Sequence, residues 1–323
     1  MTVREVEHEI TVAAPAPAVY RLIAEVTNWP RIFPPTIYVD RFDHDESSER
    51  IRIWATANGE VKSWTSMRTL DAAAHRITFR QEVSTPPVAA MGGAWVIEAL
   101  PDGHCRVRLQ HDYRAVDDDP AGLAWIDEAV DRNSRSELAA LKANLESATA
   151  EDLLVFSFED SLRMRGSAEA AYDFVNAADL WPQRLPHVAS VRLREDTAGL
   201  QDLQMETRAG DGSTHTTRSF RICQFPRRIA YKQVTLPALM TLHTGLWSFR
   251  PEGSGELTAS SQHTVAINPE AIARVLGPAA DVADAKRYLH TALSTNSLAT
   301  LRHAKDHVES AASLTTGSGR AGS

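Results

Sequence analysis

Only two cysteines occur in the 323 residues, Cys105 and Cys223, and they lie far apart with no metal-ligand spacing. That excludes a disulfide framework and argues against a zinc site, so no metal is expected. No run of about 18 apolar residues appears, and no apolar signal core opens the chain. A soluble protein of a reducing cytoplasm, with no membrane partner, is the expectation. Positive charge is scarce, with 34 Lys and Arg against 42 Asp and Glu, a formal net charge of −8. General nucleic-acid binding needs a basic surface and is set aside. Gly-rich phosphate loops, G-x-S-x-G elbows, H-E-x-x-H pairs and dinucleotide fingerprints are all missing. Neither a bound cofactor nor a covalent nucleophile is expected. With 43% hydrophobic and 24% charged residues, the chain reads as globular and not disordered.

What the chain does have is itself, twice. Trp29-Pro30 returns as Trp181-Pro182, 152 residues on (181 minus 29). The same shift carries Tyr20 onto Tyr172, Gln81 onto Gln233, Trp95 onto Trp247 and Gln110-His111 onto Gln262-His263. A period this long means duplicated domains and not a solenoid. The expected domains are 1–150 and 151–309, each large enough for one core, with a disordered Ser- and Gly-rich tail at 310–323.

Each copy reads as strand, two short helices, six strands and a long helix. Cys105, Val107, Leu109, His111 and Tyr113 share one strand face, with Arg106, Arg108, Gln110, Asp112 and Arg114 on the other. Such alternation marks a half-buried antiparallel strand. Ile126, Val130, Leu138, Leu141 and Leu145 stripe the closing helix, about 120–148. Leu138 and Leu141 are answered by Leu298 and Leu301, so the second copy gains eight residues before its last helix. A large antiparallel sheet with one long helix behind it curls around that helix. The expected fold is α+β, two tandem grips with a space between sheet and helix.

Candidate chemistry starts at Trp64, Ser66 and Arg68, which alternate onto the face of Leu70. An inward arginine is costly unless paired or wet, and the indole and hydroxyl beside it suit a polar-lined pocket. The bland reading is an arginine snorkelling from a strand end. At the corresponding place in the second copy, the spacing puts Thr216, Arg218, Phe220 and Ile222 on the inner face, with Arg218 at the Ser66 position. Met91, Gly93 and Trp95 share a face, answered by His243, Gly245 and Trp247. That stripe serves plain core as readily as a ligand wall, and the repeated glycine marks a close approach or a bulge. His111 and His263 sit on inner faces, where a lone histidine is most often a satisfied core residue.

On these residues the chain resembles the di-domain aromatase/cyclases of bacterial type II (aromatic) polyketide synthesis, of the START-like, Bet v1-like helix-grip superfamily. The resemblance spans 1–309. It is carried by Thr27-Asn28-Trp29-Pro30 with Phe33-Pro34, by Ser63-Trp64-Thr65-Ser66-Met67-Arg68, and by Met91, Gly93 and Trp95. It implies a pocket in each domain, a poly-β-ketone substrate tethered to an acyl carrier protein, and other synthase components as partners. Arg68 takes the place of the family's pocket arginine. Ser66, Trp29, Phe33, Trp64 and Trp95 take those of its pocket serine and aromatics. Ser66, His111 or Tyr113 would relay protons during dehydration, while Met91 helps mould the chain. In the second copy Trp181, Trp247, His243, His263 and Arg218 would bind substrate. A non-catalytic carrier of a hydrophobic ligand is the alternative.

Overall fold

The computed structural model describes residues 3–146, 154–208 and 214–317, with side chains as far as residue 310. The chain divides into two compact units, Met1–Glu151 and Asp152–Ser323. In the first, β1 (Arg4–Val12) leads through α1 (Ala16–Ala24) and α2 (Trp29–Ile32) into six strands. These are β2 (Thr36–His44), β3 (Ser48–Ala57), β4 (Glu60–Asp71), β5 (Arg76–Val83), β6 (Val88–Ala99) and β7 (Cys105–Ala115). The long helix α3 (Pro120–Glu146) follows. The sheet order is β1-β7-β6-β5-β4-β3-β2 and every pairing is antiparallel. Consecutive strands thus neighbour one another, and the first strand returns beside the last.

The second unit repeats the plan. After β8 (Val155–Arg165) come α4 (Ala168–Asn176) and α5 (Trp181–Arg184). The strands β9 (Val188–Thr197), β10 (Leu200–Arg208), β11 (Thr214–Gln224), β12 (Arg228–Thr235), β13 (Met240–Gly253) and β14 (Glu256–Ile267) then form the same sheet order. The extra residues expected before the last helix hold a short 3₁₀ turn and α6 (Ile272–Leu276), which pack in a small core with Phe156, Val265 and Leu289. The last helix, α7, runs Val282–Gly317. Its backbone passes Ser310, where the sequence suggested the ordered chain would stop. Residues 318–323 of the expected tail lie outside the described residues.

The strand alternation fixes which side chains meet the helix. Cys105, Val107, Leu109 and Tyr113 of β7 are buried, with the arginines between them facing out. Ile126, Val130, Leu138 and Leu141 of α3 face them. The two repeated glycines are close-approach sites. A Cβ at Gly93 would fall 1.9 Å from the Gln110 backbone oxygen and 2.7 Å from the Phe79 ring. Backbone cannot step aside as a side chain can, so Gly93→Ala is expected to destabilise the first unit by about 1–3 kcal/mol or more. A urea titration of the whole chain checks this, and an unshifted midpoint contradicts it.

Candidate functional site

Each sheet and its long helix enclose a cavity, about 130 Å³ in the first unit and about 120 Å³ in the second. The first is walled by Trp29 from α2, Trp64 from β4, Met91 from β6, His111 from β7, and Trp125 and Glu137 from α3. Four of these were expected from the sequence: Trp29, Trp64, Met91 and His111. A wider open depression, about 740 Å³, lies on the outer face of the first sheet. Its charged side chains are wet, with Arg80 paired to Asp112 at 2.6 Å, so it cannot shield a reacting chain from water.

Arg68 does not line the cavity. It is buried, yet its guanidinium is fully engaged. Nη1 donates to Glu49 Oε1 at 2.6 Å and Nη2 to the Ile23 carbonyl at 3.0 Å. The Trp29 ring lies 4.9 Å from its centre. Burial lowers its pKa to about 10, with the Glu49 carboxylate opposing that fall, so the arginine stays charged at pH 7. The same Ile23 carbonyl accepts from Trp29 Nε1 at 3.0 Å. The arginine expected to be catalytic thus also acts as a bolt that ties α1 and the Trp29 indole to the sheet.

Other expectations shift likewise. Ser66 is buried but away from the cavity wall. Phe33 stacks on Trp95 at 6.0 Å and meets Trp29 edge-on at 5.5 Å, so both support the wall from behind. Tyr113 donates its hydroxyl to Asp127 at 2.6 Å and packs in a separate small core. Arg218 points the wrong way. It pairs with Asp202 on the outer face, 2.8 and 2.9 Å, half-exposed.

The reason is a one-residue slip. Arg68 pairs across the sheet with Phe79, and Arg221, not Arg218, pairs with Tyr231. Phe79 and Tyr231 are 152 apart, but Arg68 and Arg221 are 153 apart (221 minus 68). A slip of one flips every side chain in a strand. The inner face of β11 is therefore Thr217, Ser219 and Arg221. The signal was present, since Ser66-Met67-Arg68 recurs as Ser219-Phe220-Arg221.

Arg221 does line its cavity. Its Nη2 donates to the Val175 carbonyl at 2.8 Å, and Nη1 to Gln201 Oε1 at 2.7 Å. Gln201 stands where the first unit has Glu49. The second arginine thus has an amide for company where the first has a carboxylate. Trp181, Trp247, His243 and His263 line this cavity too.

Trp125 was not expected from the sequence, and neither was Glu137. Glu137 projects from α3 into the first cavity and has no hydrogen-bond or ion-pair partner among the described residues. Burial alone raises its pKa from 4.5 to about 8, so it is protonated at neutral pH. A lone carboxyl between Ser134, Leu138 and Leu141 of the buried stripe could have flagged it. His111 moves the other way, to about 4, because of burial and the nearby His8. Its Nδ1 is buried without a partner. One cavity therefore holds a protonated acid and a neutral base. Environments that push two titratable groups apart in this way mark acid and base roles.

Residues 3–146 and 164–287 each match the family described as polyketide cyclase/dehydrase and lipid transport. The granaticin polyketide synthase bifunctional cyclase/dehydratase of Streptomyces virginiae is 54% identical, over 93% of this chain and 98% of that one. The chain belongs to the polyketide cyclase/dehydrase family. The corresponding actinorhodin cyclase/dehydratase of Streptomyces coelicolor is 47% identical over 93% of this cyclase/dehydrase and 95% of its own length. The crystal structure of the di-domain ARO/CYC BexL, from the BE-7585A biosynthetic pathway, superposes with a TM-score of 0.84 at 62% identity. It covers 95% of this chain and 99% of its own. The di-domain ARO/CYC StfQ gives a TM-score of 0.86 at 34% identity. The expected tandem helix-grip fold is that of the family. The carrier alternative is not favoured, because relatives matched along nearly their whole length are named as cyclase/dehydratases. Among the described residues, no helix is long and apolar enough to cross a membrane.

Proposed function

We propose that the enzyme closes and aromatises the first ring of a poly-β-ketone tethered to an acyl carrier protein, in the cytoplasm beside other polyketide synthase components. The observation that carries this reading is the opposed pair in the first cavity, Glu137 protonated and His111 neutral. Aldol closure needs a proton taken from a methylene between two carbonyls and a proton given to the carbonyl under attack. His111 takes the first and Glu137 gives the second. Trp29, Trp64, Trp125 and Met91 hold the two carbons in one geometry and keep water out, which is most of the problem in ring closure. A cavity of about 150 Å³ accepts one benzene ring in other proteins, so the room here fits the nascent ring alone. In the second cavity Trp181, Trp247, His243 and His263 hold the chain, with Arg221 in the role first expected of Arg218.

The names of the relatives support the same chemistry. The test is a reconstituted type II synthase mixture, run with and without the protein. The protein is expected to divert the chain from spontaneously cyclised shunt products to one product with a correctly closed aromatic first ring. An unchanged product profile overturns the reading.

A further inference from the structure

The second cavity carries polar machinery that the first lacks. Tyr231 stands where the first unit has Phe79, His243 where it has Met91, and Ser297 where it has Glu137. Only His263 has a histidine counterpart, His111. The four side chains meet. Tyr231 Oη lies 3.1 Å from His263 Nδ1 and 3.4 Å from His243 Nε2. The imidazoles approach at 2.9 Å, Nε2 of His243 to Nδ1 of His263. On its far side, His263 Nε2 is 2.7 Å from Ser297 Oγ on α7. An unbroken file of hydrogen bonds therefore runs from the long helix to the Tyr231 hydroxyl, and all four residues line the cavity.

A core does not need this. The first unit folds with Phe and Met at the same two places, and buried polar clusters are costly unless fully satisfied. This one is not. Trp181 Nε1, His187 Nδ1, Gln233 Oε1 and His243 Nδ1 are buried without partners among the described residues, and all four residues border the cavity. Unmet donors and acceptors around one space point to a polar occupant. Gly245 makes room for the tyrosine, since a Cβ there would fall 2.3 Å from Tyr231 Cζ and Oη.

We infer that the carboxy-terminal cavity is a second reaction centre, in which Tyr231 protonates the departing hydroxyl of a cyclic β-hydroxy ketone and the new ring loses water. This rests on the reading above, which supplies such an aldol product. The α C–H and β C–O bonds break and a C=C bond forms. The α proton, acidified by its flanking carbonyl, goes to solvent. The hydroxyl takes the Tyr231 proton and leaves as water. His263 reprotonates Tyr231 and draws its own proton through Ser297, so the step is redox-neutral. Arg221, with no carboxylate directly paired to it, stabilises the enolate formed on the way. Burial, with His290 nearby, holds His263 near 4, and burial beside His263 holds His243 low. Both are neutral at pH 7, so His263 accepts on one nitrogen while donating from the other.

Tyr231→Phe is the test, and the first unit shows that phenylalanine fits this place. The full-length variant is added to the synthase mixture and products are resolved by mass. The ring is expected to close with normal connectivity, while a product heavier by one water accumulates as dehydration slows about 100-fold. Ser297→Ala, which cuts only the return path, slows the same step less. Wild-type dehydration by a Tyr231→Phe protein of wild-type melting temperature overturns the inference. Loss of ring connectivity in that variant also overturns it, since the cavity would then serve closure. A wild-type protein without effect on the products would instead sink the parent reading.

Discussion

Arg68→Ala is expected to unfold the first unit more than to disable it. The substitution leaves Glu49 as a buried carboxylate, 3% exposed, with Arg41 at 3.5 Å the one cation left to answer it among the described residues. It also strips a donor from the Ile23 carbonyl and the cation from the face of Trp29. Removing one partner of a buried ion pair costs about 3–5 kcal/mol. Domains are stable by only about 5–15 kcal/mol. Arg221→Ala leaves a neutral amide behind and should cost about 1–3 kcal/mol. Urea unfolding of the whole chain ranks the two variants, and equal midpoints for Arg68→Ala and wild type would refute the bolt.

Glu137→Gln should behave in the opposite way, losing activity while gaining stability. The amide cannot donate an acid proton, so ring closure is expected to slow about 1,000-fold. In the wild type the rate should hold level between pH 4 and 8. It falls above about 8 as Glu137 ionises, and below about 4 as His111 is protonated. The stability sign follows from the same shift. Unfolded, the carboxyl ionises near 4.5; folded, near 8. Folding therefore suppresses an ionisation. Its contribution is fully present below 4.5, is lost as pH rises, and is gone above 8. Glutamine removes that dependence. The variant should match the wild type at pH 4 and exceed it at pH 9 by at most about 5 kcal/mol, the difference between 4.5 and 8 converted to free energy. Melting curves at the two pH values decide it. A variant that is less stable at both would make Glu137 a structural residue.

These two cases show what the chain disclosed before its fold was known. The duplication, the strand alternation and the helix stripe are local or periodic, and each placed its elements within a few residues. Trp64, Met91 and His111 reached the cavity because their strand faces follow from period two, and Trp29 because its helix recurs in both copies. Arg68 was placed on the correct face with the wrong company. Its counter-ion comes from the neighbouring strand, and cross-strand partnership depends on pairing register, which one strand's pattern does not contain. Arg218 failed through the same register, moved by a single position. Glu137 was passed over because a carboxyl in an apolar stripe looks like a helix edge until the opposite wall is known.

The exchange of Glu49 for Gln201 has a reach beyond either site. A guanidinium facing a carboxylate is nearly silent a few ångströms away. One facing an amide keeps more of its field, with the Glu195 carboxylate one hydrogen bond further off behind Gln201. Two hollows built on one backbone plan can thus differ in their liking for ionised guests without any backbone atom moving. The nitrogen-for-oxygen replacement adds to the exchanges of Phe79 for Tyr231, Met91 for His243 and Glu137 for Ser297 in setting the two chambers apart.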